Sequence, residues 1–265
     1  MKTIKSISFI GSGNVATNLA KAFYAKGVSI DTIYSNTLRN AELLAKTVEA
    51  TAINKIENHE FTSDLVIVAL KDDVMENVLS KTTIKGSLLV HTSGSIDTIT
   101  LKKYAENFGC LYPFQTFRKE VETDFSEVHI FIESNSKENT LKLYNLARLL
   151  TSKVEEMNSY KRKSLHIAGV GLNNFTHFIL SITRQYCIDN QLKTEYLTNL
   201  LTQTVNNSFY IENALSMQTG PARRGDLEVI KDHLERLKNA PKYRKIYKTI
   251  SQLILDEFHD KKYKL

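Results

Sequence analysis

A glycine-rich turn early in the sequence has the residue types that hold a phosphate. Gly11-Ser12-Gly13-Asn14-Val15-Ala16 follows an apolar β-rich run, Ile4–Ile10, and opens a stretch of helical periodicity, Asn14–Ala25. In a dinucleotide-binding turn the first glycine permits the tight bend, and the second lets the backbone approach a diphosphate. The free N–H groups of the helix then face its charge. We therefore predict that residues 11–15 bind a dinucleotide.

The end of the second predicted strand, Ser29–Tyr34, selects between NAD and NADP. The next residues, Ser35-Asn36-Thr37-Leu38-Arg39, include hydroxyls, an amide and an arginine but no acid that would bind ribose hydroxyls and repel a 2′-phosphate. Asp31 has about the expected spacing from the first glycine, but it lies early in the strand. We predict NADP rather than NAD, with Ser35, Asn36 and Arg39 at the adenosine ribose; Arg39 could also be an ordinary solvated residue.

Two further turns follow predicted strands, where open parallel sheets bind their ligands. Leu70-Lys71, at the end of the predicted strand Leu65–Leu70, is predicted to border the nicotinamide. His91-Thr92-Ser93-Gly94 follows Leu88–Val90, and its serine and glycine can contact the nicotinamide or a substrate carboxylate. The alternative for this second segment is an ordinary turn.

A predicted helix from Lys161 carries a polar stripe on an otherwise apolar surface. At 100° per residue His166, Val170, Asn173 and His177 lie within about 60° of one another, with Asn174 slightly further round. Buried imidazoles and amides each cost about 1–3 kcal/mol when unpaired, so these side chains should have partners or face a wet cleft. We predict His166 as a general acid/base and Asn173 or Asn174 as the group that orients the substrate. The alternative is hydrogen bonding across a domain or dimer interface.

The segment Gly220-Pro221-Ala222-Arg223-Arg224-Gly225-Asp226 lies between two predicted helices. Pro221 stiffens the turn, Asp226 is a good N-cap for the helix that continues through His233, and an arginine here can bind a carboxylate with its guanidinium. Arg223 or Arg224 is therefore a candidate anchor for an anionic substrate. A capped turn with solvated arginines is the alternative, and His233 could be a ligand contact or a surface residue.

Strand and helix patterns alternate through the first 158 residues, which implies right-handed crossovers and a mostly parallel sheet. After Ser159 only helical periodicities remain. The expected fold class is α/β: a Rossmann-like, doubly wound domain over 1–158, followed by an all-helical domain over 159–265. The predicted strands are Ile4–Ile10, Ser29–Tyr34, Leu65–Leu70, Leu88–Val90, Cys110–Phe114 and His129–Ile132, and the predicted helices among them include Asn14–Ala25 and Arg39–Val48.

The amino-acid composition and net charge of the chain limit the class of protein and the kind of ligand. Hydrophobic residues make up 42% and charged residues 24%, which is typical of a soluble globular protein and not of a membrane or disordered chain. No signal-peptide pattern is present, so a cytoplasmic location is expected. The formal charge of +6 comes from scattered lysines without a nucleic-acid-binding module, which favours an anionic cofactor or substrate over nucleic acid. Cys110 and Cys187 have no metal-ligand spacing, so no metal site is predicted.

Taken together, these motifs resemble a family of bacterial oxidoreductases that joins a Rossmann-like domain to a helical C-terminal domain of unknown function. More distantly the chain is similar to pyrroline-5-carboxylate reductases and to the β-hydroxyacid dehydrogenases, including 6-phosphogluconate dehydrogenase. The resemblance implies a nicotinamide cofactor on the first domain and a helical domain of the 6-phosphogluconate dehydrogenase C-terminal type that closes the substrate site and forms a homodimer. The motifs that carry it are the glycine turn, Leu70-Lys71-Asp72-Asp73, His91-Thr92-Ser93-Gly94, Pro113-Phe114-Gln115-Thr116-Phe117, the Leu165–His177 helix and the Gly220–Asp226 segment with His233.

The sequence departs from that pattern at two positions. Alignment on Asn173-Asn174 places Val170 where the β-hydroxyacid dehydrogenases carry a catalytic lysine, so Lys163 or His166 would have to replace it. Tyr112 precedes Pro113 where the close family has histidine. We expect an NADP-dependent oxidoreductase of a small polar, anionic metabolite. The missing lysine supports the alternative of a dinucleotide-binding redox sensor or assembly protein without turnover.

Overall fold

The structure is a computed structural model, and it describes residues 3–57, 59–210 and 212–265. The chain divides into two compact units, Met1–Ala168 and Gly169–Leu265. The predicted domain boundary at 158/159 falls at the start of a helix, Ser159–Gly169, whose residues up to Ala168 belong to the first unit.

The first unit is built on a mostly parallel sheet of eight strands. Only β8 and β9 pair antiparallel within the described part of this sheet, and β4 pairs with β6 separately. The order in the main sheet is β10-β9-β8-β7-β5-β1-β2-β3. From β1, the chain adds β2 and β3 on one side and then β5, β7 and the later strands on the other. The strands are β1 (Ser6–Ile10), β2 (Ser29–Tyr34), β3 (Thr51–Ile53), β4 (Glu60–Phe61), β5 (Leu65–Val68), β6 (Thr83–Ile84), β7 (Leu88–His91), β8 (Phe108–Phe114), β9 (His129–Ser134) and β10 (Val154–Glu156).

Apolar side chains cover both faces of this sheet. All four residues of β5 are buried, which is typical of a central strand in a parallel sheet. Ile7 and Phe9 of β1 belong to one buried cluster, and Ile10 belongs to another on the opposite face. The helices of this unit are α1 (Asn14–Ala25), α2 (Leu38–Thr47), α3 (Asp72–Leu79), α4 (Lys137–Ala147) and α5 (Ser159–Gly169).

The predicted doubly wound, mostly parallel architecture is confirmed, and two of its elements have the predicted bounds. Residues 14–25 form α1 and residues 29–34 form β2. The strand predicted over 65–70 ends at Val68, because Ala69 and Leu70 already belong to the turn before α3. The strands β3, β4, β6 and β10 were not predicted, since two or three residues are too few to show a period.

The described part of the second unit consists of helices without a strand. They are α6 (Thr176–Asp189), α7 (Thr198–Tyr210), α8 (Pro221–Arg224), α9 (Leu227–Arg236) and α10 (Pro241–Phe258), and a π-helical segment, Val170–Phe175, precedes α6. A small apolar cluster around Ile230 and Leu255 joins α9 to α10. In the described residues no helix combines the length and the apolar character needed to cross a membrane.

Candidate active site

The glycine turn has the backbone geometry that the sequence indicates. Gly11 has φ of 122°, and a Cβ there would overlap the carbonyl oxygen of Ala69, so only glycine fits. Gly13 is the N-cap residue of α1, and a Cβ added to it would meet no protein atom within 4 Å. No side chain caps α1, and its first turn contains no acid. The turn therefore presents unsatisfied N–H donors beside open space.

A cleft of about 520 Å³ adjoins this turn. Seven of the predicted cofactor residues line it: Gly11, Ser12, Gly13, Ser35, Asn36, Leu70 and Lys71. Asn14 and Val15 form the first residues of α1. Arg39 is exposed on the first turn of α2 and does not line the cleft, whereas its neighbour Asn40 does. The cleft thus collects the predicted diphosphate and ribose residues in one place.

Several residues of this cleft were not predicted. Asn54 follows β3, the short strand that the sequence did not reveal, and Lys81 lies beyond α3. Lys119 comes from the long segment after β8, which α1 holds in place. The buried amide of Asn18 donates to the carbonyl of Arg118 at 3.1 Å and accepts from the hydroxyl of Thr123 at 2.9 Å. Three lysines therefore line this cleft: Lys71 and Lys81, at the two ends of α3, and Lys119, after β8.

Asp31 does not line the cleft, in agreement with its early position in β2. Its carboxylate accepts hydrogen bonds from the hydroxyls of Ser29 at 3.1 Å and Ser63 at 2.8 Å. One acid, Glu57, does line the cleft. Burial, with a smaller contribution from the charge of Glu57, raises the pKa of Tyr34. The end of β2 itself remains free of acids, as the sequence indicates.

The strand ends beyond β5 continue the same edge of the sheet. Thr92 N–H donates to the carbonyl of Val68 at 3.2 Å, which extends β7 beside β5. Ser93 Oγ accepts the backbone N–H groups of Ser95 at 3.0 Å and Ile96 at 3.3 Å. These hydrogen bonds form a turn, and the serine hydroxyl keeps its own hydrogen available to a ligand.

His166 meets this edge through Tyr112 and Gly94. The Tyr112 hydroxyl lies 3.0 Å from Nδ1 of His166. Gly94 lies directly against the imidazole, since a Cβ at this position would be 2.6 Å from both Cγ and Nδ1 of the ring. Tyr112 is buried, and burial raises its pKa to about 12, so the phenol stays protonated at neutral pH. His166, predicted as an acid/base, is half-buried and has a fixed partner.

A buried ion pair anchors α5 one turn before His166. The guanidinium of Arg162 is 1% exposed and donates to Oε2 of Glu133 at 2.5 Å and to the carbonyl of Ile96 at 2.6 Å. The same Oε2 accepts the hydroxyls of Thr98 at 2.6 Å and Ser159 at 2.7 Å. Burial pushes the pKa of Glu133 upward, but these hydrogen bonds outweigh it and lower the pKa. This cluster joins α5, β9 and the segment after β7.

Two more titratable groups are buried beside this pair. His91 is fully buried, and burial together with the charge of Arg162 lowers its pKa to about 3. Its Nδ1 accepts the N–H of Ser93 at 3.1 Å, and its Nε2 has no hydrogen-bond partner among the described residues. Burial raises the pKa of Cys110 to about 12. His91 is therefore neutral and the thiol is unreactive at neutral pH.

Lys163 does not join His166. Its ammonium pairs with Asp97 at 2.6 Å, and both residues line a different groove of about 730 Å³ between α3 and the segment after β7. That groove is larger than the cleft at the glycine turn, but it lacks a glycine turn, and the helix start that borders it, at Asp72 of α3, carries two acids in its first turn, which disfavour an anion. We therefore assign the cofactor to the smaller cleft.

The remaining predicted residues lie in the second unit. Asn173 and Asn174 belong to the π-helical segment and His177 to α6. The predicted stripe assumed 100° per residue, and this assumption is wrong for residues 170–175, because a π-helix turns less per residue. The polar face therefore cannot be derived from a regular wheel beyond Gly169.

The arginine turn has partners within its own unit. The Arg223 guanidinium lies 4.1 Å from the ring centroid of Phe258, and Arg224 lies 3.7 Å from Asp226. Asp226 occupies the predicted N-cap position of α9, but its side chain makes no capping hydrogen bond. His233 pairs through Nδ1 with the Tyr247 hydroxyl at 2.7 Å. Both arginines remain exposed, so either guanidinium is open to a further ligand.

The described residues contain no group of three or more His, Cys, Asp or Glu side chains that could hold a metal ion. The candidate site in the first unit contains main-chain N–H groups, lysines and the Tyr112–His166 pair.

Comparison with family models gives two matches. Residues 6–94 match a domain described as NADP oxidoreductase coenzyme F420-dependent, and residues 128–254 match a domain of unknown function, DUF2520. A comparison with curated protein sequences found no match.

Solved structures resemble the whole chain. The putative NADP oxidoreductase BF3122 from Bacteroides fragilis is 35% identical, with 96% of this chain and 98% of that one covered and a TM-score of 0.87. An imine reductase from Myxococcus stipitatus in complex with NADP+ is 19% identical over 95% and 93% of the two chains, with a TM-score of 0.67. A pyrroline-5-carboxylate reductase from Coxiella burnetii is 14% identical over 97% of each chain, with a TM-score of 0.55. The last two likenesses show a shared fold.

Proposed function

This chain belongs to the same family as BF3122 of Bacteroides fragilis, and from that premise we propose that it is an NADP-dependent oxidoreductase of a small polar metabolite. The observation that carries the proposal is the glycine turn. Gly11 is confined by Ala69, while Gly13 opens onto empty space beside the uncapped start of α1. That combination suits a diphosphate, whose oxygens would accept from the N–H groups of residues 13–15.

The residues present fit the rest of NADP as well. Ser35, Asn36 and Asn40 line the cleft and would bind the adenosine ribose, and Leu70 and Lys71, which also line it, would border the nicotinamide. The cleft lysines would supply cations for the 2′-phosphate, and Arg39, exposed outside the cleft on the first turn of α2, would have to reach in to supply another. A tightly bound NAD would instead need an acid at that end.

The position of His166 supports hydride transfer accompanied by a proton. The turn after β1 and the middle of β8 are three strand spacings apart, through β5 and β7, which is about 14 Å at ~4.8 Å per spacing. The nicotinamide half of an extended dinucleotide can bridge that length. Bound NADPH would supply the hydride. His166 would supply the proton, and Ser93 and Gly94 would contact the nicotinamide or the substrate.

We propose residues of the second unit as substrate contacts. Asn173 or Asn174 would orient the reacting group, and Arg223 or Arg224 would bind an anionic part of the substrate. Both arginines are exposed, and the Arg223 guanidinium lies over the ring of Phe258. A planar guanidinium suits a carboxylate.

A homodimer formed through the helical unit is part of the proposal. Large apolar side chains on α6 and α7 are exposed, among them Phe178 at 48% and Leu200 at 61%. Exposed apolar helix faces mark protein interfaces, and a second copy offers an identical face. The proposal also retains a cytoplasmic location, where reduced NADP is available.

Fluorescence titration of NADPH and NADH tests the cofactor assignment. Gly13→Ala places a methyl group in space that no protein atom fills, so the fold should survive while the diphosphate is displaced. Losing one or two charge-assisted hydrogen bonds of about 1.5–3 kcal/mol each predicts NADPH binding at least 10-fold weaker. Gly171→Ala is the matched control, since a Cβ there also meets nothing.

We expect wild-type protein to bind NADPH more tightly than NADH and the control to match wild type. A failure of the wild-type protein to bind either nucleotide saturably would overturn the proposal. Saturable binding without NADPH oxidation across a panel of keto acids, aldehydes, imines and sugar acids would instead support the redox-sensor alternative.

A further inference from the structure

We propose that Tyr112 holds His166 in the neutral tautomer with its hydrogen on Nε2, and that this donor restricts the substrate to carbonyl compounds. The inference rests on the proposed function, because it names the class of group that the same site would reduce. Tyr112 is a positioning residue in this proposal, since it acts through His166.

The tautomer follows from hydrogen-bond accounting at the phenol. Tyr112 is 8% exposed, and in the described part of the chain its hydroxyl has one hydrogen-bond partner, Nδ1 of His166 at 3.0 Å. If Nδ1 carried a hydrogen, it would donate to the phenol oxygen and leave the buried O–H without an acceptor, at a cost of about 1–3 kcal/mol. If Nδ1 is bare, the O–H donates to it and both groups are satisfied. The imidazole hydrogen then lies on Nε2.

The packing around His166 encloses the Nδ1 edge of the ring. Gly94 lies against Cγ and Nδ1, so the Nδ1 edge is enclosed by Gly94 on one side and Tyr112 on the other. The buried pair Arg162–Glu133 holds α5 one turn earlier, which keeps the imidazole from sliding away from the phenol. His166 is half-buried, and Nε2 is the polar atom left to face a ligand.

Burial supports the same assignment from the side of the phenol. It raises the pKa of Tyr112 to about 12, so the hydroxyl keeps its hydrogen through the physiological range. In the resting state a phenolate, which would draw a hydrogen onto Nδ1, is thereby disfavoured; it forms only transiently, when the much more basic alkoxide of the product takes a proton through the ring.

A neutral Nε2–H donor selects the chemistry of its substrate. It can donate to the lone pair of a carbonyl oxygen and polarise the C=O bond. A protonated iminium has its own N–H at the same position, so two donors would face each other, and its positive charge would gain nothing from a proton donor. The site therefore matches ketones, aldehydes and keto acids and mismatches iminium ions.

The proton balance of carbonyl reduction is complete within this pair and solvent. The carbonyl carbon accepts the hydride with its electron pair, and the C=O π pair moves to oxygen, which takes the hydrogen from Nε2 to give the alcohol. Nδ1 takes the Tyr112 hydrogen at the same time, so the imidazole stays neutral. Water then returns a proton to Nε2 while the phenolate recovers its own hydrogen from Nδ1. The net reaction consumes one proton and one NADPH.

The tautomer is measured by ¹⁵N NMR of histidine side chains in the full-length protein. His166→Asn identifies the His166 signals among the seven histidines. In the pH range where the ring is neutral, we expect the wild-type ring to show a hydrogen on Nε2 and a bare Nδ1. Tyr112→Phe should give a mixture of tautomers, and Tyr160→Phe, at a residue 80% exposed, should change nothing. A hydrogen on Nδ1 in the wild-type protein would overturn the tautomer assignment.

The substrate class is tested by NADPH oxidation with two panels, neutral carbonyl compounds and cyclic imines that are protonated at neutral pH. We expect kcat/KM for the best carbonyl to exceed that for the best imine at least 10-fold. Tyr112→Phe should lower kcat about 10-fold or more while the Kd for NADPH stays within 2-fold of wild type. Turnover of imines alone, or of neither panel, would overturn the substrate class. Lost NADPH binding in wild type would instead refute the proposed function.

Discussion

Glu133→Gln is expected to destabilise the protein strongly, because it leaves a buried guanidinium without its counter-charge. Arg162 is 1% exposed, and Glu133 is the carboxylate that lies within ion-pair distance of it in the described residues. Removing one partner of a buried pair costs about 3–5 kcal/mol, and arginine cannot escape by losing its proton. At ~2–4 °C per kcal/mol, Tm should fall by about 6–20 °C.

The opposite change, Arg162→Met, should cost less, about 2–3 kcal/mol. Glu133 is 22% exposed and keeps the hydroxyls of Thr98 and Ser159, so its carboxylate is not stranded. The double variant removes both charges and should be less destabilised than the sum of the two single variants by at least ~2 kcal/mol.

Urea unfolding followed by far-ultraviolet circular dichroism gives these free energies. The matched control is Glu127→Gln, since Glu127 is 77% exposed and forms a surface ion pair with Lys153. It should change stability by at most ~0.5 kcal/mol. A Glu133→Gln variant within ~1 kcal/mol of wild type, or single-variant effects that simply add, would refute the account of this pair.

Three further predictions address acid stability, the acid/base group and cofactor choice. Burial, aided by the charge of Arg162, holds the pKa of His91 at about 3, so the unfolded chain binds a proton at higher pH than the folded protein does. The free energy of unfolding should therefore fall as pH drops from about 6.5 toward 3. Urea unfolding at stepped pH measures this fall, and His91→Gln should reduce its slope. Gly94→Ala should push the His166 ring by about 1 Å and lower turnover, measured by NADPH oxidation, about 100-fold; wild-type turnover would count against a role for the ring. The residue that contacts the 2′-phosphate is identified with two variants, Lys81→Ala and Arg39→Ala. The variant that loses this contact should bind NADPH about 5–10-fold more weakly and NADH as tightly as wild type does. An unchanged ratio of NADPH affinity to NADH affinity in both variants would contradict an NADP site built from these residues.

The architecture was predictable where a segment is long and periodic. Residues 14–25 show both a full helical period and a glycine turn before them, and their helix has the predicted bounds. The strand β3 contains three residues and shows no alternation, so the sequence does not reveal it. Asn54 follows that strand into the cleft, so the missed strand also concealed a cleft residue.

The sequence predicts the parts of the candidate site that are built from adjacent residues, and it does not reveal the contacts between residues that are distant along the chain. A glycine turn carries its function within six adjacent residues, because the bend and the helix start are both local. The contact between Tyr112 and His166 joins residues 54 positions apart, and nothing in either segment indicates its partner. Arg162 likewise looks like a solvated helix residue until Glu133 is brought to it by β9. Pairings of this kind depend on strand order, which spacing along the chain does not encode.

A crystal structure of the protein with NADP+ tests the central claim most directly. The account predicts diphosphate oxygens at ~2.7–3.2 Å from the backbone N–H groups of residues 13–15, with the adenosine ribose beside Ser35 and Asn36. A nucleotide bound elsewhere, with the space beside Gly13 still open to solvent, would contradict it.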